Sequence, residues 1–415
     1  MKNLLSRMVL LLGALAYLGP LGSSLAGQWL LDDPTPENLE RGIRWDSRNP
    51  AIWARYGRHW HFLPDSPESH KAVEAYRKAA SLNPLDPSNW RELASAQMGN
   101  GDLEASEAAL RGELAAVPHS PQASWRMANL LLVRGRTQEA YPYLRVASND
   151  QLLRVPVFDL ARRLGEGPEV IRRELVPDTP DARADYLQFL VSRKLLDEAY
   201  PVWQEIARSG SPETIRLGNS YVDALVVAGN GSDAGKVWDD LLAVMGQTPR
   251  LEGELLTNQD FENQILNSGL GWRLGPGPGY QVELDAFLFQ NGTRSLRVTF
   301  DGTANANFLG LLQTVPVEPG RRYRFEAYLR VDSITSDNGP FFSIVARGMP
   351  REEAFTVSSP NRLETMGWVR EQLDFQTGPR TSLVDLRLRR LPSQKLNNLI
   401  RGKVWIDNLS LRLRP

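Results

Sequence analysis

One spacing recurs through the first part of the chain and constrains its fold more than any other feature. Two sets of residues keep a 34-residue period: Pro50, Pro84 and Pro118, and Ala72, Ser106 and Ala140. Within this period, residues 88–118 show two apolar stripes at helical spacing, separated by a turn at residues 99–101. A period of this length is typical of helix–turn–helix units that bury their apolar faces against one another.

The same pattern returns later in the chain after an interruption. Ala199 and Ala234 are 35 residues apart, and so are Trp203 and Trp238. The segment 151–175 between the two blocks is helical in pattern but does not hold the register. The sequence therefore predicts about five repeat units with an irregular stretch between them.

This pattern resembles the tetratricopeptide repeat family, and the resemblance is best over residues 35–150. Trp90 and Trp125 stand near the aromatic position of the family's first helix. The resemblance implies an α-solenoid with a concave groove for a protein partner. The groove positions that it implies are Arg91, Ser95, Arg126 and Asn129. A solvated helix face is the alternative for these four side chains.

The composition changes near Thr248, where helical stripes give way to period-two runs, glycines and turn pairs. Seven or more short strands follow without a helical pattern between them, which predicts an antiparallel β-sandwich. We therefore expect a multidomain α and β chain, with helical repeats over residues 35–248 and a sandwich over residues 255–415.

Three phrases narrow the type of sandwich: "LLTNQDFENQILNSGLGW", "LLQTVPVEPGRRYRFEAYLRV" and "GKVWIDNLSLR". In that order they resemble the carbohydrate-binding-module type of galactose-binding-like jelly roll. The match covers nearly all of residues 255–415, and it implies a glycan as the ligand of this domain.

A candidate glycan platform lies on the strand "RRYRFEAYLRV", where Tyr328 and Arg330 alternate away from the predicted core. Sugar binding needs an aromatic ring to stack on the pyranose and polar groups for its hydroxyls. We expect Gln313 from the preceding strand, and Trp272 and Tyr280 from loops, to join this platform. The alternative is a solvated sheet face on which arginine stems cover Tyr328.

Apolar residues alternate along the last strand, but the alternation shifts by one position at Asp407-Asn408. Val404 and Ile406 precede the shift, and Leu409 and Leu411 follow it. One interpretation is a β-bulge that re-aims the strand, with the Asp407 carboxylate accepting backbone N–H bonds. The resemblance to the jelly roll implies a second interpretation, in which Glu262 and Asp407 hold a structural calcium ion. Calcium is the only cofactor expected. A third interpretation is that Asp407 is a catalytic carboxylate.

Composition narrows the classes of function. The net charge of -1 argues against a dedicated nucleic-acid binder. With no cysteine, the chain has no disulfide, thiolate metal site or cysteine nucleophile. All four histidines precede residue 120, so the β region has none for a Ser-His-Asp arrangement. We expect a protein that is not an enzyme.

Residues 1–26 have the form of an export signal. Lys2 and Arg7 precede an apolar run, and Ser24 and Ala26 stand like the small residues of a cleavage site. The alternative is an uncleaved anchor in the inner membrane. Either one predicts that the body of the chain is exported to the periplasm or cell envelope.

These features predict an exported scaffold whose solenoid binds a protein partner and whose sandwich binds a polysaccharide or oligosaccharide. The resemblance implies a place in the assembly or export of a bacterial surface polysaccharide. The alternative is a pure protein-interaction scaffold in which the sandwich is a spacer or binds protein.

Overall fold

The computed structural model describes residues 35–62, 69–210, 212–396 and 398–414. The predicted signal peptide or anchor lies outside these ranges. The described residues form 13 α-helices: α1 (Pro36–Trp45), α2 (Pro50–His61), α3 (Ser69–Leu82), α4 (Pro87–Gly99), α5 (Leu103–Ala116), α6 (Pro121–Val133), α7 (Thr137–Ala147), α8 (Gln151–Arg163), α9 (Pro168–Glu174), α10 (Pro180–Ser192), α11 (Leu196–Ala207), α12 (Pro212–Val227) and α13 (Gly231–Val244).

Ten strands follow: β1 (Arg273–Leu274), β2 (Tyr280–Asp285), β3 (Ser295–Asp301), β4 (Phe308–Pro316), β5 (Arg322–Asp332), β6 (Phe341–Ala346), β7 (Thr356–Ser358), β8 (Met366–Gln376), β9 (Leu383–Arg390) and β10 (Arg401–Leu413). They form two antiparallel five-stranded sheets, sheet A with order β2-β3-β10-β5-β8 and sheet B with order β1-β4-β9-β6-β7. Helical repeats followed by a two-sheet sandwich confirm the predicted tetratricopeptide-like and jelly-roll layout.

The small residue at the fourth position of the second helix explains the repeat period. Ala72, Ser106, Ala140, Ala199 and Ala234 occupy this position in α3, α5, α7, α11 and α13, and all five are buried. A small side chain there lets the paired helices approach closely. Ser106 also donates from its hydroxyl to the Ala94 carbonyl, 2.9 Å away. These positions therefore confirm five units.

The prolines that are 34 residues apart do not occupy the same place in the first repeat as in the next two. Pro50 opens α2, just after the Asn49 cap, whereas Pro87 and Pro121 open α4 and α6 after their Asp86 and Ser120 caps. Proline suits the first helical turn, where its missing N–H would have no partner. Pro84 and Pro118 thus precede their helices. Although the three prolines are evenly spaced in sequence, Pro50 is not structurally equivalent to the other two.

The described residues up to Tyr186 form one compact unit, and those from Leu187 form a second. The composition change near Thr248 therefore lies inside the second unit, because α13 packs against β4 of the sandwich. The sequence shows where helix gives way to strand, but not which helices pack on the sheets. Among the described residues, no helix is both long and apolar enough to cross a membrane.

Trp238 of α13 is the centre of this packing. Its fully buried indole donates from Nε1 to the Thr257 hydroxyl, 2.9 Å away. Gly269 lies against the ring with a positive φ of 53°, and a side-chain carbon at this position would collide with the indole. The Ser382 hydroxyl donates to the Gly229 carbonyl nearby. The last helical pair and the sandwich therefore share one interface.

We expect Trp238→Ala to destabilise the second unit by about 3–5 kcal/mol, because it opens a cavity at this interface. Urea unfolding followed by circular dichroism measures the change. Trp45→Ala is the matched control, since Trp45 is 61% exposed, and it should change stability by no more than about 0.5 kcal/mol. Equal stabilities of the two variants would contradict a packing role for Trp238.

Candidate functional site

The four predicted groove residues line one cleft in the first unit. Arg91 and Ser95 come from α4, while Arg126 and Asn129 come from α6. The cleft has a volume of about 450 Å³, and its apolar lining includes Met98, Leu110 and Trp125. The structure therefore brings together residues up to 38 positions apart in sequence, as the family's register implies.

The polar groups of the cleft differ in how firmly they are held. The Arg126 guanidinium donates to both carboxylate oxygens of Glu113, which is buried. Asn129 donates from Nδ2 to the Trp125 carbonyl, 2.7 Å away. The Arg91 side chain is 45% exposed and contacts Glu92 at 3.5 Å. The cleft thus combines a fixed polar wall with an accessible cation.

Two of the predicted glycan residues are core residues instead. Trp272 is 2% exposed, packs against Phe261, and donates from Nε1 to the Asn258 carbonyl at 3.0 Å. Gln313 is buried on sheet B, where its side-chain amide exchanges hydrogen bonds with the backbone of Thr257. The prediction that they join Tyr328 on one face is therefore wrong. Both stabilise the segment that leads into the sandwich.

Tyr280 also packs inward. It is the first residue of β2, and its ring meets Phe308 edge-on with 4.8 Å between ring centroids. Its hydroxyl donates to the Gly275 carbonyl at 3.0 Å. Burial raises the pKa of Tyr280. The prediction that Tyr280 joins Tyr328 on an open platform is therefore wrong, because the Tyr280 ring packs against the core.

Tyr328 and Arg330 do lie on the outer face of sheet A, opposite the core residues of β5. Their neighbours form cross-strand ion pairs: Arg324 with Asp374, and Arg370 with Glu326. We call this surface the ion-pair face. It matches the alternative of a solvated sheet face, since each of these charges has its own partner.

Trp405 is the residue of the ion-pair face that sequence reasoning missed. It lies between the core residues Val404 and Ile406, so its alternation already indicates the outer face. The Arg330 guanidinium lies 6.0 Å from its ring centroid, and its Nε1 donates to Asp285 at 2.8 Å. Trp405 is nevertheless only 6% exposed, which limits its contact with any ligand.

Asp407 lies at a bulge in β10. The pairing of β10 with β5 shifts register between Asp407 and Ser410, and Asn408 has a positive φ of 48°. The Asp407 carboxylate accepts backbone N–H bonds from Gln290, Asn291 and Asn408 at 2.7, 3.0 and 2.7 Å. Burial raises the pKa of Asp407 despite these bonds. The bulge interpretation is confirmed.

Glu262 holds the adjoining part of the same loop. It accepts backbone N–H bonds from Thr293 at 2.6 Å and Arg294 at 3.1 Å, and a bond from the Thr293 hydroxyl. Burial acts to raise the pKa of Glu262, but these bonds outweigh it, and the pKa is lowered.

These N–H donors bear on the predicted calcium. They occupy carboxylate lone pairs of Glu262 and Asp407 that a cation would need. In the described ranges, no cluster of three or more His, Cys, Asp or Glu side chains could hold a metal ion. The donor set fits loop anchoring better than calcium, which stays a prediction.

No protein-family model and no curated protein matches the sequence. Among solved structures, Family 16 Carbohydrate Binding Module-2 is 18% identical over 38% of this chain and 98% of its own, with a TM-score of 0.28. YrrB, a TPR protein with an unusual peptide-binding site, is 14% identical over 51% of this chain and 94% of its own, with a TM-score of 0.25.

The enzymatically active domain of bacteriophage CBA120 tailspike protein 4 is 16% identical, with a TM-score of 0.28. The match covers 39% of this chain and only 22% of the tailspike chain. At such TM-scores the fold assignment depends on the helices and sheets described above, and the neighbours carry no argument about function.

Thermal melts of the full chain in calcium and in chelator test the role of Asp407. If the carboxylate only anchors the loop, wild type should melt at the same temperature in both. Asp407→Asn should lose stability equally in both, by about 1–3 kcal/mol, because the amide keeps only one acceptor oxygen for the three N–H groups. A calcium-dependent rise in wild type that disappears in Asp407→Asn would instead establish a metal site.

Proposed function

We propose that this chain is an exported, non-enzymatic scaffold that binds a protein partner through its helical repeats and a glycan through its β-sandwich. The proposal of protein binding rests on the cleft between α4 and α6, which all four predicted groove residues line. The proposed ligand of the cleft is an extended segment of the partner protein.

The lining of the cleft supports a peptide ligand. Met98, Leu110 and Trp125 form an apolar surface that suits one aliphatic or aromatic side chain of a peptide. The accessible Arg91 guanidinium suits an acidic group of the same peptide. Because Glu113 fixes Arg126, this wall of the cleft is ordered before the ligand arrives, which lowers the entropy cost of binding.

Peptides selected from a random library on the full chain test this proposal. We expect selected peptides to carry an apolar anchor and a nearby acidic residue, and Arg91→Gln and Met98→Asp each to weaken their binding about tenfold or more. Fluorescence polarisation measures the affinities. Arg77→Gln, at an exposed position of α3 that does not line the cleft, is the matched control. Equal binding by all variants would contradict the cleft as the site.

For the sandwich we propose a glycan ligand, with Tyr328 and Arg330 as outward-facing groups of sheet A. The predicted export signal and the resemblance to carbohydrate-binding modules support a role in the assembly or export of a bacterial surface polysaccharide. The same signal supports the periplasm or cell envelope as the location, with residues 1–26 either cleaved or kept as an inner-membrane anchor. The alternative is a protein-interaction scaffold whose sandwich is a spacer or binds protein.

A glycan array probed with the full chain separates these alternatives. If sheet A contacts the sugar, Tyr328→Ala should weaken binding about fivefold, because aromatic stacking contributes on the order of 1 kcal/mol. Its thermal stability should stay close to that of wild type. Absence of binding to every glycan would favour the protein-interaction alternative. Unchanged binding by Tyr328→Ala would remove this face from the site.

A further inference from the structure

A second outer surface of the sandwich carries a different arrangement of charges. Val384, Leu386 and Leu388 of β9 point into the core, so Asp385, Arg387 and Arg389 lie on the outer face of sheet B. Arg347, just beyond β6, reaches the same surface, where its Nη1 lies 3.1 and 3.2 Å from the Asp385 oxygens. We call Arg347, Arg387, Arg389 and Asp385 the arginine face.

The arginine face has more cations than anions. The side chain of Asp385 is only 5% exposed, and it accepts bonds from both Arg347 and Arg387, the latter at 2.7 Å. Arg389 has no carboxylate within ion-pair distance in the part of the chain that the structure describes. The surface therefore has three guanidinium groups and one carboxylate, an excess of two positive charges, and only Arg347 and Arg387 contact that carboxylate. On the ion-pair face, by contrast, Arg324 and Arg370 each have a carboxylate partner.

Two buried polar atoms of this surface have no hydrogen-bond partner among the described residues: Ser343 Oγ and Arg389 Nε. Ser343 is fully buried and pairs in register with Arg387 across β6 and β9. Buried polar groups in native proteins are nearly always hydrogen-bonded, so water is the expected partner of these atoms, as it is of Arg330 Nε on the ion-pair face.

The remaining groups of the surface suit a sugar. The Phe341 ring lies 5.9 Å from the Arg389 guanidinium and supplies an apolar surface beside the unshared charge. Thr356 and Ser358 of β7 add exposed hydroxyl side chains next to β6. A ring for stacking, guanidinium groups for a carboxylate and hydroxyls for sugar hydroxyls are the elements that a sugar-acid site requires.

One end of the arginine face borders a cleft within the second unit. Arg347 lines this cleft, of about 590 Å³, together with Arg380 and residues 226–229 at the end of α12. Glu353 pairs with Arg380. The helical pair that packs on the sandwich therefore adds a wall beside Arg347, at the end of the arginine face that is opposite Arg389.

We propose that the arginine face binds a carboxylate-bearing polysaccharide, a polymer that contains uronic acid, through Arg389 and the guanidinium groups around Asp385. This inference rests on the proposed glycan-binding function of the sandwich and names the chemical class of its ligand. A long nucleic acid is a poorer match, because the chain as a whole has a net charge of -1.

The test compares polygalacturonate, an acidic polymer, with dextran, a neutral one, by affinity gel electrophoresis of the full chain. We expect retardation by polygalacturonate that weakens as salt is raised, because salt screens exposed charges. Arg389→Gln should weaken this binding about tenfold, since a charge-assisted contact to the carboxylate is lost. Arg77→Gln, at an exposed position of α3 outside the sandwich, is the matched control and should bind like wild type.

The outcomes separate this inference from the proposed function. Equal retardation of wild type and Arg389→Gln, or an equal loss in Arg77→Gln, would overturn the arginine face as the site. Binding to dextran or to neutral glycans on an array, without binding to polygalacturonate, would overturn the acidic ligand and leave the glycan function standing. Absence of binding to any polysaccharide would overturn both. Circular dichroism of each variant verifies that the fold is retained.

Discussion

The burial of Trp238 between the last helical pair and the entry to the β-sandwich is the contact on which the second unit depends. A repeat helix buries its apolar face only against a neighbour, so a terminal pair needs a cover. Here the sandwich provides that cover. Trp238 donates to Thr257, and the backbone of Thr257 exchanges hydrogen bonds with Gln313 of β4. This path ties α13 to sheet B through groups that are all buried, so the sandwich is part of the packing of the last repeat.

The two outer faces of the sandwich differ in how their charges are paired, and this difference decides what each face can bind. On sheet A, Arg324 and Arg370 are matched across strands by carboxylates, and Arg330 lies over the nearly buried Trp405. A ligand there would have to displace existing ion pairs. On sheet B, Arg347 and Arg387 contact the carboxylate of Asp385, whereas Arg389 has no carboxylate partner among the described residues, so an incoming carboxylate gains Arg389 without breaking an ion pair.

Local periodicity explains which features could be predicted from the sequence. The repeat period and the parity switch at Asp407 depend on neighbours close in sequence, and both could be predicted. The groove positions of α4 and α6 came instead from the resemblance to the tetratricopeptide repeat family. Trp272 and Gln313 were misplaced because their partners, Asn258 and Thr257, lie 14 and 56 residues away. The packing of α13 on the sandwich depends likewise on Trp238 and Thr257, which are 19 residues apart. The charge surplus near Asp385 could not be predicted from β9 alone, because Arg347 comes from the segment that follows β6.

The central claim is that one chain holds a peptide and a polysaccharide at the same time. Isothermal titration of a cleft-selected peptide into the full chain, with and without saturating polysaccharide, tests this claim most directly. The account predicts the same stoichiometry and nearly the same peptide affinity in both titrations, because the cleft lies between α4 and α6 and the proposed glycan surfaces belong to the sandwich. Loss of peptide binding when the polysaccharide is present would contradict it, since the two ligands would then compete for one site.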